Sequence, residues 1–362
     1  MRRYKTKLVI LLVLIVLLTA VELTFPGNPQ LVISYDKWIF RPYQSFRNII
    51  FGWIHFSVGD ILYILAGLYL VWLVLKWVYF LARFMAHRHD LATSFLYTLS
   101  TLAGIYILFV IGWGANYYKP RLSEYWELNK YKTADSVALV NYDKYLIGLL
   151  NEYAPHYHAL SFREVSLRTE KYYKEYTDSK TKFTGLGVKP SLFGVSMEYM
   201  GVQGYYNPFT GESQVNRFLP PFMLPFVVCH EMAHQTGIAN EGDANLLAYV
   251  IGTAADDSSF RYSCYFNTWL YTNVRVRQKD PKLAKQLKAM LNPLSQSHID
   301  TLRAIRRRYE GGMSKYSGEM YDRYLRLHDQ KGGIDSYEDV VMNARAWDEK
   351  KKTVNPGKIN IP

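Results

Sequence analysis

The segment from His230 to His234, His-Glu-Met-Ala-His, holds residues whose types and spacing suit hydrolytic chemistry. Residues four apart lie on one face of a helix, so the imidazoles of His230 and His234 can point at one metal ion. Glu231 is rotated by about 100° around that helix, which directs its carboxylate to a water at the ion rather than to the ion itself. His-Glu-x-x-His is the pattern of zinc peptidases. We therefore predict that His230 and His234 bind Zn²⁺ and that Glu231 is the general base.

A third ligand is expected from the next helix. Gly237 can end the first helix in the left-handed conformation, and Asn240 suits the N-cap of a second helix that runs from Glu241 to Gly252. A tight turn between the two helices would bring Glu241 over the imidazoles and leave a fourth position open, as in a catalytic His2Glu zinc site. Acidic residues such as Glu241 and Asp243 are also favoured in any first helical turn, so Asp243 as ligand, or no third acidic ligand, stays open.

Two further polar side chains could support the ligands. Asn245 is one turn beyond Glu241 on the same helix face and could hydrogen-bond a ligand, and Asp243 is a second candidate for that role. Each would otherwise be an ordinary polar position of a helix.

The elements that must hold this site follow an apolar first third of the chain. Hydrophobic residues make up 49% of the 362 residues, yet the mean hydropathy is only −0.12, so the apolar residues are concentrated. Runs at 8–25, 61–82 and 91–114 are each close to the roughly 20 residues that cross a bilayer as a helix. The first run could be a signal peptide, but its length and the lack of a small-x-small cleavage site favour an uncleaved helix.

The remainder is predicted to be one soluble domain. Helical patterns at 133–153, 163–178 and from 227 onward surround a glycine-rich stretch at 188–216 with short apolar segments, which indicates strands and hairpins. We thus predict an α+β protein with a membrane domain at 1–118, a mostly helical domain with a small β-sheet at 119–349, and a polar, mobile tail at 350–362. Within the glycine-rich stretch, Val195 to Asn207 could offer an edge for an extended peptide or could be a structural hairpin.

Charge indicates membrane topology and partners. The net charge of +12 is expected to reflect topology and anionic lipid in a membrane protein, and no nucleic-acid motif is present, so the bilayer and a peptide or protein substrate are the predicted partners. Basic residues before the first run and between the second and third predict that the N-terminus is inside. Three spans would then place the soluble domain outside. Two cysteines exclude a disulfide-rich scaffold and a Cys-based zinc ribbon.

Two resemblances extend these inferences. His230-Glu-Met-Ala-His234 followed by Glu241-Gly-Asp-Ala-Asn245-Leu-Leu-Ala resembles zincin metallopeptidases of the gluzincin type, which implies His230, His234 and Glu241 as ligands and Glu231 as base. Nearly the whole chain resembles an uncharacterised bacterial membrane-protein family, domain of unknown function 3810. The matching segments are 52–63, 113–118, 204–212 and 230–249. That resemblance implies three spans with a zincin-like domain in the bacterial inner (cytoplasmic) membrane, and it implies no substrate.

The sequence therefore predicts a multi-pass membrane protein whose zinc-dependent peptidase domain lies on the periplasmic or extracellular side. The alternative is an inactive zincin-like protein that acts as a binding or scaffold module, and replacement of Glu231 separates the two. An intramembrane protease is excluded, because the segment at 218–229 before the motif is short and contains three prolines.

Overall fold

A computed structural model describes residues 2–132, 135–178, 183–309, 311, 337–354 and 357–362 of the chain, and this part is mostly helical. The helices are α1 (Arg2–Thr24), α2 (Pro29–Tyr35), α3 (Arg41–Phe51), α4 (Val58–Ala82), α5 (Phe84–Gly112), α6 (Leu122–Tyr125), α7 (Ser136–Tyr153), α8 (Phe162–Tyr176), α9 (Gly194–Met200), α10 (Leu224–Gln235), α11 (Glu241–Ala254), α12 (Ser258–Lys279), α13 (Pro281–Ala289), α14 (Pro293–Tyr309) and α15 (Tyr337–Thr353). The strands are β1 (Val188–Pro190), β2 (Gly204–Tyr206) and β3 (Ser213–Val215).

Two helices, rather than the three predicted, are long and apolar enough to cross a membrane: α4 with 25 residues and α5 with 29. Most of their side chains are exposed, as expected for helices that face lipid. The predicted run at 61–82 lies in α4, and the run at 91–114 lies in α5 except for its last two residues, since α5 ends at Gly112. The run at 8–25 forms part of α1, but its apolar stretch Leu8–Thr24 is only about 26 Å long at 1.5 Å per residue, less than a hydrocarbon core of about 30 Å.

The apolar helices are arranged as a hairpin with α1 beside it. Helices α4 and α5 are antiparallel around the turn at Arg83, and the indole Nε1 of Trp77 donates to Ser94 Oγ between them at 3.0 Å. Helix α1 packs along α5. Because the carboxylate of Glu22, near the end of α1, accepts from the hydroxyl of Tyr118 just beyond α5 at 2.6 Å, α1 and α5 run in the same direction.

The remaining helices and the sheet form a folded body with one large core. Helices α10, α11 and α12 are its buried centre, and α7, α8 and α15 pack around them. The core also includes Tyr35, Phe40 and Trp113, which the sequence assigned to the membrane part. The segment between α1 and α4 is therefore not a membrane loop: α2 and α3 pack onto the body, and Arg47 of α3 is buried there.

The end of the predicted polar tail also packs onto the body. Ile359 and Ile361 are buried, and Ile359 forms a parallel β-bridge with Thr177. The guanidinium of Arg41, at the start of α3, donates to the carbonyl of Ile361 at 3.3 Å. Apolar side chains at alternate positions of this short segment account for its attachment, which its overall polarity concealed.

A three-stranded sheet lies against α10. Its strand order is β1-β3-β2, with β1 parallel and β2 antiparallel to β3. The predicted β-region at 188–216 thus contains this sheet, but its middle, α9, is a helix that ends at Gly201 in the left-handed conformation (φ 70°). Within the described ranges, β1 and β2 are the two edge strands of this sheet.

Candidate metal centre

Helix α10 holds the His-Glu-x-x-His residues inside the body. Nearly all of its residues are buried, and its carbonyls are fixed from outside the helix: the hydroxyl of Ser213 donates to the carbonyl of Glu231 at 2.7 Å, and the hydroxyl of Tyr173 to that of Cys229 at 2.7 Å. The helix ends at Gln235, and Gly237 just beyond it has the predicted left-handed conformation, with φ 86°. A Cβ there would lie 2.6 Å from both Lys119 Nζ and a ring atom of Phe40, so the turn requires glycine.

The tight turn after Gly237 brings Glu241 back to the imidazoles. Asn240 caps α11 as predicted, its Oδ1 accepting from the amide of Asp243 at 3.1 Å. Glu241 Oε2 is 3.3 Å from His230 Nε2, and Glu241 Oε1 is 3.6 Å from His234 Nε2. The three ligand atoms all lie within 4.8 Å of one another. Atoms about 2.1 Å from a tetrahedral centre are about 3.4 Å apart, so this group could hold a metal ion.

The second ring nitrogen of each histidine has its own acceptor. His230 Nδ1 is 3.0 Å from Asn245 Oδ1, and His234 Nδ1 is 2.7 Å from the carbonyl oxygen of Ile238. When Nδ1 carries the proton and donates, Nε2 is left with its lone pair directed towards Glu241. The hydrogen bonds therefore select the tautomer that a metal ion requires at both histidines.

Burial and Glu241 act on the titration of the two histidines. Burial works against the charged form of His230, but in that form Nε2–H donates to Glu241 and is attracted by its charge, and these two effects outweigh burial and raise the pKa of His230. For His234 burial dominates, and its pKa is lowered despite the charge of Glu241. A neutral imidazole is the form that binds metal, so His234 is already in its ligating form at neutral pH.

Glu231 is buried beneath strand β2. Burial raises the pKa of its carboxyl to about 8, the positive charge of His230 opposes this, and the charge of Glu241 adds to it. Within the described ranges its Oε2 has no hydrogen-bond partner. A Cβ on Gly204 would lie 2.3 Å from Glu231 Oε1 and 2.6 Å from Cδ, so only glycine fits over this carboxyl group. A bound cation would lower the pKa of Glu231 again, towards the range of a general base at neutral pH.

The other two predicted polar residues have different partners. Asn245 contacts His230, which fits its predicted supporting role. Asp243 Oδ2 accepts from the guanidinium Nε of Arg121 at 2.9 Å, so this carboxylate forms a salt bridge with the segment that follows α5.

Three features of the centre were not singled out from the sequence. The indole ring of Trp113 lies edge-on to His234, with ring centroids 5.9 Å apart. Gly204 borders Glu231, and the carbonyl of Ile238 accepts from His234. Trp113 and Gly204 do begin two of the segments on which the family resemblance rests, whereas a backbone acceptor leaves no trace in the sequence.

Comparison with known proteins identifies one family. The sequence model of a family described as Protein of unknown function (DUF3810) matches residues 35–343, more than half of the chain. The match includes α4, α5, the sheet and the whole metal-ligating group. No curated protein and no solved structure matches the chain.

Proposed function

The chain belongs to the family described as Protein of unknown function (DUF3810), and from its metal-ligating group we propose that it is a membrane-anchored zinc metallopeptidase. The observation that carries the proposal is the convergence of His230, His234 and Glu241 within 4.8 Å, next to the buried carboxyl of Glu231. Two imidazoles and one carboxylate form the ligand set of catalytic zinc peptidases and leave one position open. The zincin-like assignment and the choice of zinc are part of this proposal.

The residues of the chain divide the chemistry between them. A zinc ion in such a site supplies a Lewis acid that lowers the pKa of water and polarises a peptide carbonyl. Glu231 accepts the proton of the attacking water and delivers it to the leaving amine, which then departs as a neutral amine. The hydrogen bonds at His230 Nδ1 and His234 Nδ1 keep both rings fixed during this cycle. An inactive scaffold would need no buried acid at position 231, so Glu231 Oε2, which has no hydrogen-bond partner among the described residues, favours the enzyme.

Strand β2 offers a place for an extended peptide. The amide of Asn207 donates to the carbonyl of Glu212, and the amide of Asn216 donates to the carbonyl of Gln203; Glu212 and Asn216 flank β3. By the alternation of an antiparallel ladder, Gly204 and Tyr206 therefore direct their own N–H and C=O groups to the outer edge. A peptide paired there would gain main-chain hydrogen bonds and would pass Gly204, which lies over Glu231. The outer edge of β2 therefore supports peptides as substrates. The edge that the sequence predicted within Val195–Asn207 is limited to the three residues of β2.

The hairpin of α4 and α5 supports a location of the body outside the cytoplasm. Helix α4 starts at the body and α5 returns to it. The turn after Ala82 and the body therefore lie at opposite ends of the hairpin, whether or not α1 also crosses the membrane. The turn carries Arg83 and Arg88, and positively charged short loops stay in the cytoplasm. The body would then face the periplasm of a bacterial inner-membrane protein.

A labelling experiment tests this topology. Met85, near the turn, and Met290, at the end of α13, are both exposed, and the two native cysteines are buried. In intact cells, we expect a membrane-impermeant maleimide that passes the outer membrane to label Met290→Cys and to label Met85→Cys only after lysis. The opposite pattern would place the body in the cytoplasm.

The function is tested by metal content and cleavage with the full chain in detergent, because α2 and α3 pack onto the body, with Tyr35 of α2 in its core and Arg47 of α3 buried. We expect near-stoichiometric zinc in the wild type, its loss in His234→Ala, and its retention in His156→Ala, an exposed histidine outside the site. Glu231→Gln should keep zinc and lose cleavage of a randomised peptide library read by mass spectrometry. A folded wild type that takes up no zinc would refute the metal site, and zinc-loaded wild type without cleavage would favour a scaffold.

A further inference from the structure

Helix α3 is inverted relative to a helix that faces water. Its buried side chains are Gln44, Arg47 and Asn48, while Phe46 and Ile49 are exposed, Ile49 to 69%. Arg47 donates to the carbonyl of Gly112 at 3.2 Å and to the hydroxyl of Tyr206 at 3.0 Å, so the polar face forms its hydrogen bonds inside the protein. Apolar side chains directed outward on such a helix need an apolar medium.

The apolar surface of α3 is continuous with the membrane hairpin. Trp53 and Phe56, between α3 and α4, are exposed, Trp53 to 74%, and Trp38 precedes α3 with a similar exposure. Tryptophan side chains are enriched where a protein meets the boundary between headgroups and acyl chains. We name the exposed side chains of Trp38, Phe46, Ile49, Trp53 and Phe56 the interfacial belt. The belt lies at the end of α4 that joins the body, and the partner that we assign to it is the surface of the lipid bilayer.

The length of α4 places this surface close to strand β2. The first turn of α4 is buried in the body, and the stretch from Ile61 to Ala82 is about 33 Å long, enough to cross a hydrocarbon core of about 30 Å. The bilayer surface therefore lies within about one turn of Ile61. The ring of Tyr205 in β2 lies 6.4 Å from the ring of Tyr63, and the hydroxyl of Tyr205 donates to the carboxylate of Asp60.

The metal-ligating group lies at the same level on the side of α5. Trp113 directly follows α5, and the centroid of its ring is 4.2 Å from that of Tyr206 and 5.9 Å from that of His234. Strand β2 thus contacts the first turns of α4 through Tyr205 and the residue after α5 through Tyr206. The candidate catalytic centre is one side chain away from the end of a membrane helix.

Apolar side chains also border the beginning of β2. Leu192, Val195 and Tyr199 of the α9 region and Phe218 are all exposed. The amide of Leu192 donates to the carboxylate of Asp60 at 2.7 Å, so α9 begins beside the first turn of α4. These exposed apolar side chains suit a polypeptide segment that emerges from the apolar bilayer better than they suit the polar surface of a soluble substrate.

We propose that the peptide taken up along β2 is the membrane-proximal segment of a membrane-anchored polypeptide, not a freely diffusing protein. This inference rests on the proposed peptidase function and names its substrate class. The bilayer holds the anchor, the interfacial belt holds the body at the surface, and β2 pairs with the residues that leave the membrane. Anchoring in the same bilayer raises the effective concentration of the segment at the site.

The position of the site is tested without reference to activity. A fluorescent label is attached to Ile49→Cys in the belt, to Val195→Cys on α9, and to Met290→Cys at the end of α13 as the comparison. The labelled full chain is reconstituted in phosphatidylethanolamine–phosphatidylglycerol vesicles whose lipids carry a nitroxide near the headgroup. We expect quenching at Ile49 and Val195 and none at Met290. A Val195 label that is quenched no more than the Met290 label would overturn the proposal.

The substrate class is tested with three substrates that share one randomised segment. In the first the segment directly follows a single apolar helix in the same vesicles, in the second a Gly-Ser spacer separates helix and segment, and the third is the free peptide. We expect the first to be cleaved about 10²-fold faster than the free peptide, from the usual gain of tethering, and faster than the spacer substrate. Glu231→Gln should cleave none of the three.

The outcomes separate the two proposals. Equal rates for the free and the anchored segment would overturn the membrane-proximal substrate and leave the peptidase function standing. Equal rates for the first and second substrates would show that an anchor in the same bilayer is enough for fast cleavage, whatever the distance of the segment from the membrane. This result would also overturn the membrane-proximal substrate. No cleavage of any substrate by the zinc-loaded wild type would overturn both.

Discussion

The hydrogen bond between His230 and Asn245 allows the candidate metal centre to be disturbed without removal of a ligand. His230 Nδ1 and Asn245 Oδ1 are 3.0 Å apart, and Asn245 is 4% exposed, so water cannot readily replace its oxygen. In Asn245→Ala the ring loses the acceptor that orients it and selects its tautomer. His234 offers no equivalent test, because its acceptor is the backbone carbonyl of Ile238.

The size of the effect follows from the role of the acceptor. Removal of the partner of a metal-bound histidine typically weakens metal binding 10- to 100-fold, which is about 1.4 to 2.7 kcal/mol. A buried N–H without an acceptor costs about 1–3 kcal/mol, the same range. We therefore expect the zinc Kd of Asn245→Ala to rise by about 10- to 100-fold. Asn245→Asp keeps an acceptor oxygen and adds negative charge, so it should bind zinc at least as tightly as the wild type.

The measurement is a competition titration of the full chain in detergent against a chromophoric chelator, with circular dichroism to confirm the fold of each variant. Wild-type affinity in Asn245→Ala would refute the reasoning, because the bond would then not orient His230. Affinity in Asn245→Asp as weak as in Asn245→Ala would refute it as well, since the acceptor oxygen would not be what matters.

Two further predictions concern catalysis and pH. In Gly204→Ala the new methyl group must displace the Glu231 carboxyl, so kcat for peptide cleavage should fall by about 10²- to 10⁴-fold, the usual contribution of a general base, while zinc affinity changes little. The control is Gly148→Ala, whose Cβ would meet nothing within 4 Å. An unchanged kcat in Gly204→Ala would contradict the contact between Gly204 and Glu231. Burial raises the pKa of Asp348 from 3.8 to about 6, so the native state binds its proton more tightly than the unfolded state, and stability falls as pH rises from about 4 to 6. Over this interval chemical denaturation should show that the wild type loses about 3 kcal/mol more stability than Asp348→Asn, in which the other buried carboxyls, such as Asp143, still titrate. Parallel pH profiles of the two proteins would contradict this prediction.

The parts of the site that obey local rules could be predicted from the sequence. His230 and His234 share a face because of helical periodicity, Gly237 ends α10 because it tolerates a positive φ, and Asn240 caps α11 through its side chain. Glu241 follows from these three features, because a short turn leaves little choice of direction. Each inference needed only neighbours within about ten residues.

The parts that depend on distant contacts could not be predicted. Arg47 lies between the first two apolar runs of the predicted membrane domain, yet it is buried and bound to Tyr206, more than 150 positions away. The position of Trp113 beside His234, and of Gly204 over Glu231, depends on how the hairpin and the sheet pack on α10. The apolar composition of α1 predicted a membrane span, but its apolar stretch, Leu8–Thr24, is shorter than the apolar helices α4 and α5.

The contact between Arg41 and Ile361 has a consequence for how the protein is made. These residues are 320 positions apart, and Trp126 donates its indole N–H to the carbonyl of Asn360, 234 positions away, at 2.8 Å. Contacts between residues so far apart raise the contact order, which slows folding. Arg41 and Trp126 can complete these contacts only after residues 360 and 361 have left the ribosome, and Arg47 meets Tyr206 only after residue 206 has been made. The hairpin of α4 and α5 is therefore made well before the body can be completed, and this is the stage at which we expect the protein to depend most on chaperones.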